Sequence, residues 1–263
     1  VRSFVKAHGL GNDFVIVDAR ADGALMSAEE AIRWCDRHRG VGADGVLTLL
    51  PPRGQGAVMR MHIYNADGSV PEMCGNGLRC AVVAAELGPG RFVVDTDAGP
   101  RPVERTGAAE ARVSVGRPAL LAERLEVAID GRAWVGAWIS MGNPHFVLEP
   151  CALGETRALA ERHGPALERA PAFPARTNVE FFAPRADGGL ELTVFERGAG
   201  LTEACGTGAG ATAVHAWARG LVPDGAPVTV WLPGGPLEVA RGDDGEVTIR
   251  GEAVVTFRGQ AAL

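Results

Sequence analysis

Only one lysine, Lys6, occurs among the 263 residues, beside 25 arginines. A cofactor held as a Schiff base, pyridoxal phosphate included, would have to use that amine. Metal-binding patterns are also missing: there is no Cys-x-x-Cys, and no two of the six histidines lie close enough to form a local ligand pair, so the sequence shows no zinc site. No block of five like charges occurs, and 26 Lys+Arg against 32 Asp+Glu give a net charge of −6. Nucleic acid and membrane surfaces therefore lack their electrostatic basis as partners. No apolar run approaches the roughly 18 residues of a membrane span, and the N-terminal stretch has no signal-peptide core, which points to the cytoplasm.

The composition that remains, 46% hydrophobic and 22% charged, is that of a folded globular protein. The length suits one large domain or two of about 130 residues. Five cysteines, Cys35, Cys74, Cys80, Cys151 and Cys205, make an odd number in a chain too long to need disulfide staples. Reduced thiols are expected.

An internal repeat decides the domain question. Residues 64–77, ending in Cys74-Gly75-Asn76-Gly77, align without a gap on residues 195–208, ending in Cys205-Gly206-Thr207-Gly208. The offset that carries Cys74 onto Cys205 also carries Gly11-Asn12 onto Gly142-Asn143, and each of these pairs stands just before a Phe-Val pair. Two tandem lobes of one fold follow, residues 1–117 and 118–263, meeting where Gly116-Arg117-Pro118 breaks a strand pattern, with a return of the last strand to the first lobe left open.

Within the lobes, short apolar or alternating runs predict strands at 14–18, 46–50, 58–64 and 92–95, then at 137–141, 146–148, 179–182, 190–195, 228–232 and 247–250. Ser27-Ala28-Glu29-Glu30 predicts a capped amphipathic helix to about His38. A second kind of helix follows each Cys-Gly-x-Gly, Leu78–Leu87 closed by Gly88 and Gly210–Arg219 closed by Gly220. Both are apolar nearly all round and so must be buried, each wrapped by the strands of its lobe. The fold class is α+β.

Each repeat thus sets a cysteine just before the N-terminus of a buried helix. Free N–H groups and the positive dipole end favour a thiolate there, and they form a ready carboxylate or phosphate site. One carbon served by two such thiols can lose a proton on one face and regain it on the other. That inverts a stereocentre, with the helix termini stabilising the carbanion.

The ordered set His8-Gly-Leu-Gly-Asn12-Asp-Phe, Asn65-Ala-Asp-Gly-Ser69, Cys74-Gly-Asn-Gly-x-Arg79, Gly142-Asn143-Pro-His145, Arg176-Thr-Asn178 and Glu196-Arg197-Gly-Ala-Gly followed by Cys205-Gly-Thr-Gly resembles the diaminopimelate epimerases over essentially the whole chain. The resemblance implies a cofactor-independent two-base epimerase that interconverts LL- and meso-diaminopimelate for lysine and peptidoglycan synthesis. It also implies two pseudo-symmetric lobes, each a barrel-like, mostly antiparallel sheet around a central helix, and a homodimer. Carried over by position, Cys74 and Cys205 are the acid–base pair. Gly75, Asn76, Gly206 and Thr207 cradle the reacting carboxylate, and Asn12, Asn65, Asn143, Asn178, Glu196 and Arg197 bind substrate. His145 and Glu196 tune the cysteines.

The sequence departs from the family pattern at three places. Gly45 stands where some members carry a substrate-touching glutamine, Phe195 where a tyrosine commonly precedes Glu-Arg, and Phe257 where some have a dimer-interface tyrosine. Cys35, Cys80 and Cys151 lack the glycine-rich setting and are expected to be inert, and His8 is expected to serve packing around Asn12. Gly40-Val-Gly42-Ala-Asp-Gly45 fits a dinucleotide fingerprint but precedes a strand instead of a helix, which excludes that use. Three other readings stay open: a proline or hydroxyproline racemase, a cysteine hydrolase with one thiol and one histidine, and a non-catalytic bilobal amino-acid binding module. A second carboxylate site built from Arg197 and the asparagines favours a long dicarboxylate ligand. Two thiols serving one carbon should also join on oxidation and inactivate the protein reversibly.

Overall fold

The computed structural model describes residues 1–71, 73–129 and 131–262. Its chain forms two compact units, Val1–Ser114 together with Arg250–Leu263, and Val115–Ile249.

The first unit contains β1 (Arg2–Gly9), β2 (Asn12–Asp18), α1 (Ala28–Cys35), β3 (Gly45–Leu50), β4 (Met59–Asn65), α2 (Gly75–Ala84), β5 (Gly90–Thr96), β6 (Gly99–Gly107) and β7 (Glu110–Gly116). Leu10 and Gly11, both with positive φ, turn β1 into β2, an antiparallel pair. β2 and β3 run parallel, β3 and β4 antiparallel, β4 and β5 parallel, and β5, β6 and β7 form an antiparallel series. Every residue of α2 is buried, and the helix packs on β1, β2, β3, β4 and β6. Leu78, Val82 and Val83 each contribute about 1.5–3 kcal/mol of apolar burial there.

The second unit repeats this plan. It contains β8 (Ala119–Ile129), β9 (Arg132–Ser140), β10 (Pro144–Leu148), α3 (Thr156–Glu168), β11 (Asn178–Pro184), β12 (Leu190–Glu196), β13 (Gly200–Leu201), α4 (Gly206–Ala218), β14 (Val228–Leu232), β15 (Gly235–Arg241) and β16 (Val247–Glu252). β10 and β11 run parallel, β11 and β12 antiparallel, β12 and β14 parallel, and β14 and β15 antiparallel, the order found in the first unit. α4 stands where α2 stood, between the two strands of a parallel pair. The last strand, β17 (Val254–Ala261), pairs antiparallel with β1, so the C-terminus completes the first unit. The result is the expected α+β fold of two barrel-like, largely antiparallel units, each around a buried helix.

Several boundaries differ from those read in the sequence. α2 and α4 begin at Gly75 and Gly206, directly after the cysteines, because the glycines that read as loop form the first helical turn. Gly88 does not cap α2; Ala85 does, and Glu86 takes the left-handed conformation at φ 56°. Gly220 does follow α4 with positive φ, as a C-terminal glycine should. α1 keeps its Ser27–Glu30 capping box but stops at Cys35, where the Asp36 carboxylate accepts from the N–H groups of His38 and Arg39. α3 escaped the sequence reading because it has no side-chain N-cap and carries Pro165 inside it.

α3 nevertheless bears on the candidate site, because Gly164 lies against the Phe195 ring just before Glu196 and Arg197. A Cβ at residue 164 would meet that ring at 2.5 Å. Gly164→Ala should destabilise the protein by about 1–3 kcal/mol, read as a lower urea midpoint, through overpacking. An unchanged midpoint would show that the ring moves aside without cost.

Candidate active site

In the first unit Cys74 is the N-cap of α2, with extended backbone at φ −140° and ψ 97°, and its sulfur accepts from the Gly77 N–H at 3.2 Å. Glycine suits residue 77, since a Cβ would stand 3.2 Å from both that sulfur and Leu47 and one of them would have to give way slightly. Asn76 is buried beneath the helix start; its Nδ2 donates to Asn12 Oδ1 at 3.2 Å and its Oδ1 accepts from Arg79 at 2.9 Å. Asn12 in turn donates to Asp44 at 3.0 Å. Arg79 is fully buried, and its Nε and Nη1 find no hydrogen-bond partner among the described residues. Burial pulls the Arg79 pKa below its ordinary value, while negative charge on Cys80 and Cys74 would favour the guanidinium.

In the second unit Cys205 caps α4 in the same extended conformation, at φ −118° and ψ 105°. Its sulfur lies 3.6 Å from Thr207 Oγ1, which also accepts from Asn143 at 3.3 Å. The equivalence with the first unit is direct: the offset between the two cysteines also carries Asn12 onto Asn143 and Asn76 onto Thr207. His145 lies behind Asn143, with Nε2 3.0 Å from Asn143 Oδ1 and Nδ1 2.6 Å from Glu180 Oε1. His145 and Glu180 have no exposed side-chain surface. Burial pushes the Glu180 carboxyl up, with His145 opposing. Burial also pushes the Cys205 thiol well up, and the Glu196 and Glu180 carboxylates add to that, against hydrogen bonds from Thr207 and the Gly208 N–H.

The remaining candidates are tied into these two groups to different degrees. Asn178 uses its amide locally, donating to the Pro144 carbonyl at 2.8 Å and accepting from the Arg197 N–H at 2.9 Å. It therefore positions the chain at Arg197. Buried Glu168 helps, accepting from the Gly198 N–H at 2.9 Å while paired with Arg169 and Arg176. Glu196 accepts from Thr202 at 2.5 Å, and both Glu196 and Arg197 are half-buried. Asn65 sits in a turn and donates to Ser69 at 3.0 Å.

Gly45 has no room for a side chain: a Cβ would come 2.7 Å from the Tyr64 carbonyl oxygen, so a glutamine here would need the β3–β4 backbone to shift. Phe195 packs into the apolar cluster under α3, and Phe257 packs edge-on against Phe4 with 47% of its surface exposed. His8 accepts from the Gly11 N–H, a local turn contact. Lys6 is buried, paired with Asp13 and donating to the Gly42 carbonyl. Two residues with evident influence on the cysteines, Arg79 and Glu180, were given no role from the sequence. The constant offset of the repeat would set Glu180 against Leu49, and only the strand register shows that it takes the place of Leu47.

Two similar units, each around a central helix, form a fold shared with solved structures of a racemase and an epimerase. Solved structures that share it include a probable proline racemase from Agrobacterium radiobacter, at TM-score 0.75 and 17% identity over 100% of this chain and 93% of that one. A hydroxyproline epimerase from Agrobacterium vitis matches at 0.74 and 16%, over 100% and 92%. The diaminopimelate epimerase family model matches residues 4–121 and 137–256. Relatives named diaminopimelate epimerase include those of Thermosynechococcus vestitus, 42% identical over 90% of this chain and 91% of that protein, and of Synechocystis, 40% identical over 99% of each. The chain belongs to the diaminopimelate epimerase family.

The thiols should separate by reactivity, since only the thiolate attacks an alkylating agent. Burial holds Cys35 at about 11 and Cys80 at about 12, and raises Cys151. At pH 8, brief treatment of the native protein with iodoacetamide should label half-buried Cys74 first. Cys205 should follow only as the pH rises, and Cys35 and Cys80 should stay unlabelled, all read by peptide mass spectrometry. Labelling of Cys205 ahead of Cys74 would contradict this electrostatic contrast.

Proposed function

We propose that this epimerase inverts one α-carbon of 2,6-diaminopimelate with Cys74 and Cys205 as its acid–base pair and with no cofactor. The observation that carries the reading is that each cysteine is the N-cap of a buried helix, at equivalent positions of a duplicated fold. Cys205, pushed up by burial and two carboxylates, rests as the thiol. Cys74, whose negative charge and the buried Arg79 guanidinium favour one another, takes the part of the thiolate.

The Cys74 thiolate removes the α-proton from one face, and the electron pair of the broken C–H bond passes into the α-carboxylate. N–H groups at the starts of α2 and α4 stabilise that charge. Cys205 then delivers its proton to the opposite face, leaving Cys74 as thiol and Cys205 as thiolate, ready for the reverse reaction. Gly75, Asn76, Gly206 and Thr207 cradle the reacting carboxylate. Asn12, Asn65, Asn143, Glu196 and Arg197 serve the rest of the substrate, with Arg197 gripping a carboxylate and Glu196 an ammonium, while Asn178, placed with them by the resemblance, instead fixes the backbone at Arg197. The product feeds lysine and peptidoglycan synthesis in the cytoplasm, and the enzyme works as a homodimer in which the exposed Phe257 ring contributes to the interface.

In D2O the protein should place deuterium on the α-carbon of LL-diaminopimelate, and Cys74→Ala or Cys205→Ala should each cut epimerisation by at least about 100-fold. Proline run beside it should not exchange. Exchange with proline alone would make this a proline-type racemase, and full activity of Cys205→Ala would remove the two-base mechanism. Oxidation that joins the two thiols should abolish activity, and a reductant should restore it.

A further inference from the structure

The second unit carries a pair of buried ionisable groups that the first unit lacks. The repeat carries Phe14 onto His145, and strand register extends the match: Phe14 lies beside Gly45, and His145 beside Asn178. Two residues further along come Leu47 and Glu180. The helices agree, for a Cβ on Gly77 would meet Leu47 at 3.2 Å and a Cβ on Gly208 would meet Glu180 Oε1 at 3.2 Å. The fold thus accepts Phe14 and Leu47 at places where the second unit has His145 and Glu180. Burying an ionisable pair where apolar residues suffice is costly, so the pair needs a reason other than the fold.

The hydrogen bonds around the pair run in one direction. The Asn143 oxygen near His145 Nε2 can only accept, so Nε2 carries a proton and donates to it. This holds whether His145 is an imidazolium facing a carboxylate or a neutral ring accepting from a protonated Glu180. Asn143 then turns its NH2 group to Thr207 Oγ1. With that oxygen accepting, the Thr207 hydroxyl proton is directed to the Cys205 sulfur. Every donor from His145 onward points toward Cys205.

Resting on the two-cysteine reading above, we propose that Glu180 is a positioning residue for Cys205. It holds His145 protonated at Nε2, and so orients Asn143 and Thr207 to present a hydroxyl proton to the sulfur when it is a thiolate. Glu180 has a second effect of opposite sign, because its charge, like that of Glu196 at the end of β12, disfavours the thiolate directly. The groups acting on Glu180 itself are His145 on β10 and Glu196. A test must separate the hydrogen-bond effect from the charge.

Glu180→Gln and Glu180→Leu remove the same charge, but only glutamine can donate to His145 Nδ1 and keep Nε2 protonated. A hydrogen bond to a charged group is worth roughly tenfold in an equilibrium or more. Peptide-resolved iodoacetamide labelling of Cys205 against pH should therefore place the leucine variant about one pH unit above the glutamine variant. In steady-state assays kcat of the leucine variant should fall roughly tenfold below that of the glutamine variant, with KM little changed. Equal labelling curves and equal kcat for the two would overturn the proposal and leave Glu180 acting as a charge alone. Should the leucine variant not fold, Thr207→Val cuts the same chain at its far end. It must raise the labelling pH of Cys205, and an unmoved curve would equally overturn the idea. Labelling reads the sulfur without turnover, so its outcome is distinct from a failure of the α-proton exchange that tests the reaction.

Discussion

A cysteine at the N-cap of a helix buried wholly in one unit and almost wholly in the other is the constraint on which both units depend. A helix start leaves backbone N–H groups without intrahelical partners, and burial denies them water. In α2 the Cys74 sulfur satisfies one of them, that of Gly77. In the helix turn that follows, a Cβ on Gly77 would crowd both the sulfur and Leu47 on the strand beneath. The surrounding strands are the means of keeping such a helix dry. The reactive group and the fold therefore share one cause, and the duplication of the fold duplicates the thiol.

Duplication did not make the two thiols equal. Arg79 lies buried on α2, and its counterpart in the repeat is Gly210, over which Met141 closes. Glu180 and His145 lie buried behind α4, and their counterparts Leu47 and Phe14 are apolar. A buried guanidinium thus lies on the helix that one cysteine caps, and two carboxylates disfavour the thiolate of the other. Two identical thiols would both rest in the same protonation state. The proposed transfer of one proton needs one donor and one acceptor, and the asymmetry would supply that difference through residues that leave the backbone plan intact.

Legibility in the sequence followed how local each signal was. A constant offset between matching segments exposed the repeat, both cysteines and the buried helices, because Cys-Gly-x-Gly and the helix after it are contiguous. Ser27 and Glu30 announced α1 through their reciprocal cap. β8, with most of its residues exposed, and α3, with an internal proline and no cap, lack the apolar period that a strand or helix shows, and their existence rests on tertiary packing. Glu180 was invisible for another reason. Its meaning comes from a partner on a neighbouring strand, 35 residues away in sequence, and from the apolar residue at its place in the other unit.

The same dependence on tertiary context explains why Arg197 and Asn178 cannot be read separately. Asn178 uses both ends of its amide on backbone, one on Pro144 at the start of β10 and one on Arg197 after β12. Glu168, from the end of α3, holds the next N–H, that of Gly198, while two arginines neutralise its buried charge. An arginine on a loop holds its guanidinium ready for a partner only when its backbone is fixed, since the entropy of ordering the loop would otherwise oppose the contact. An asparagine that resembles a substrate ligand in sequence therefore serves here as a clamp on the backbone at the arginine, so that a residue of the family motif spends its polar groups on the protein's own chain.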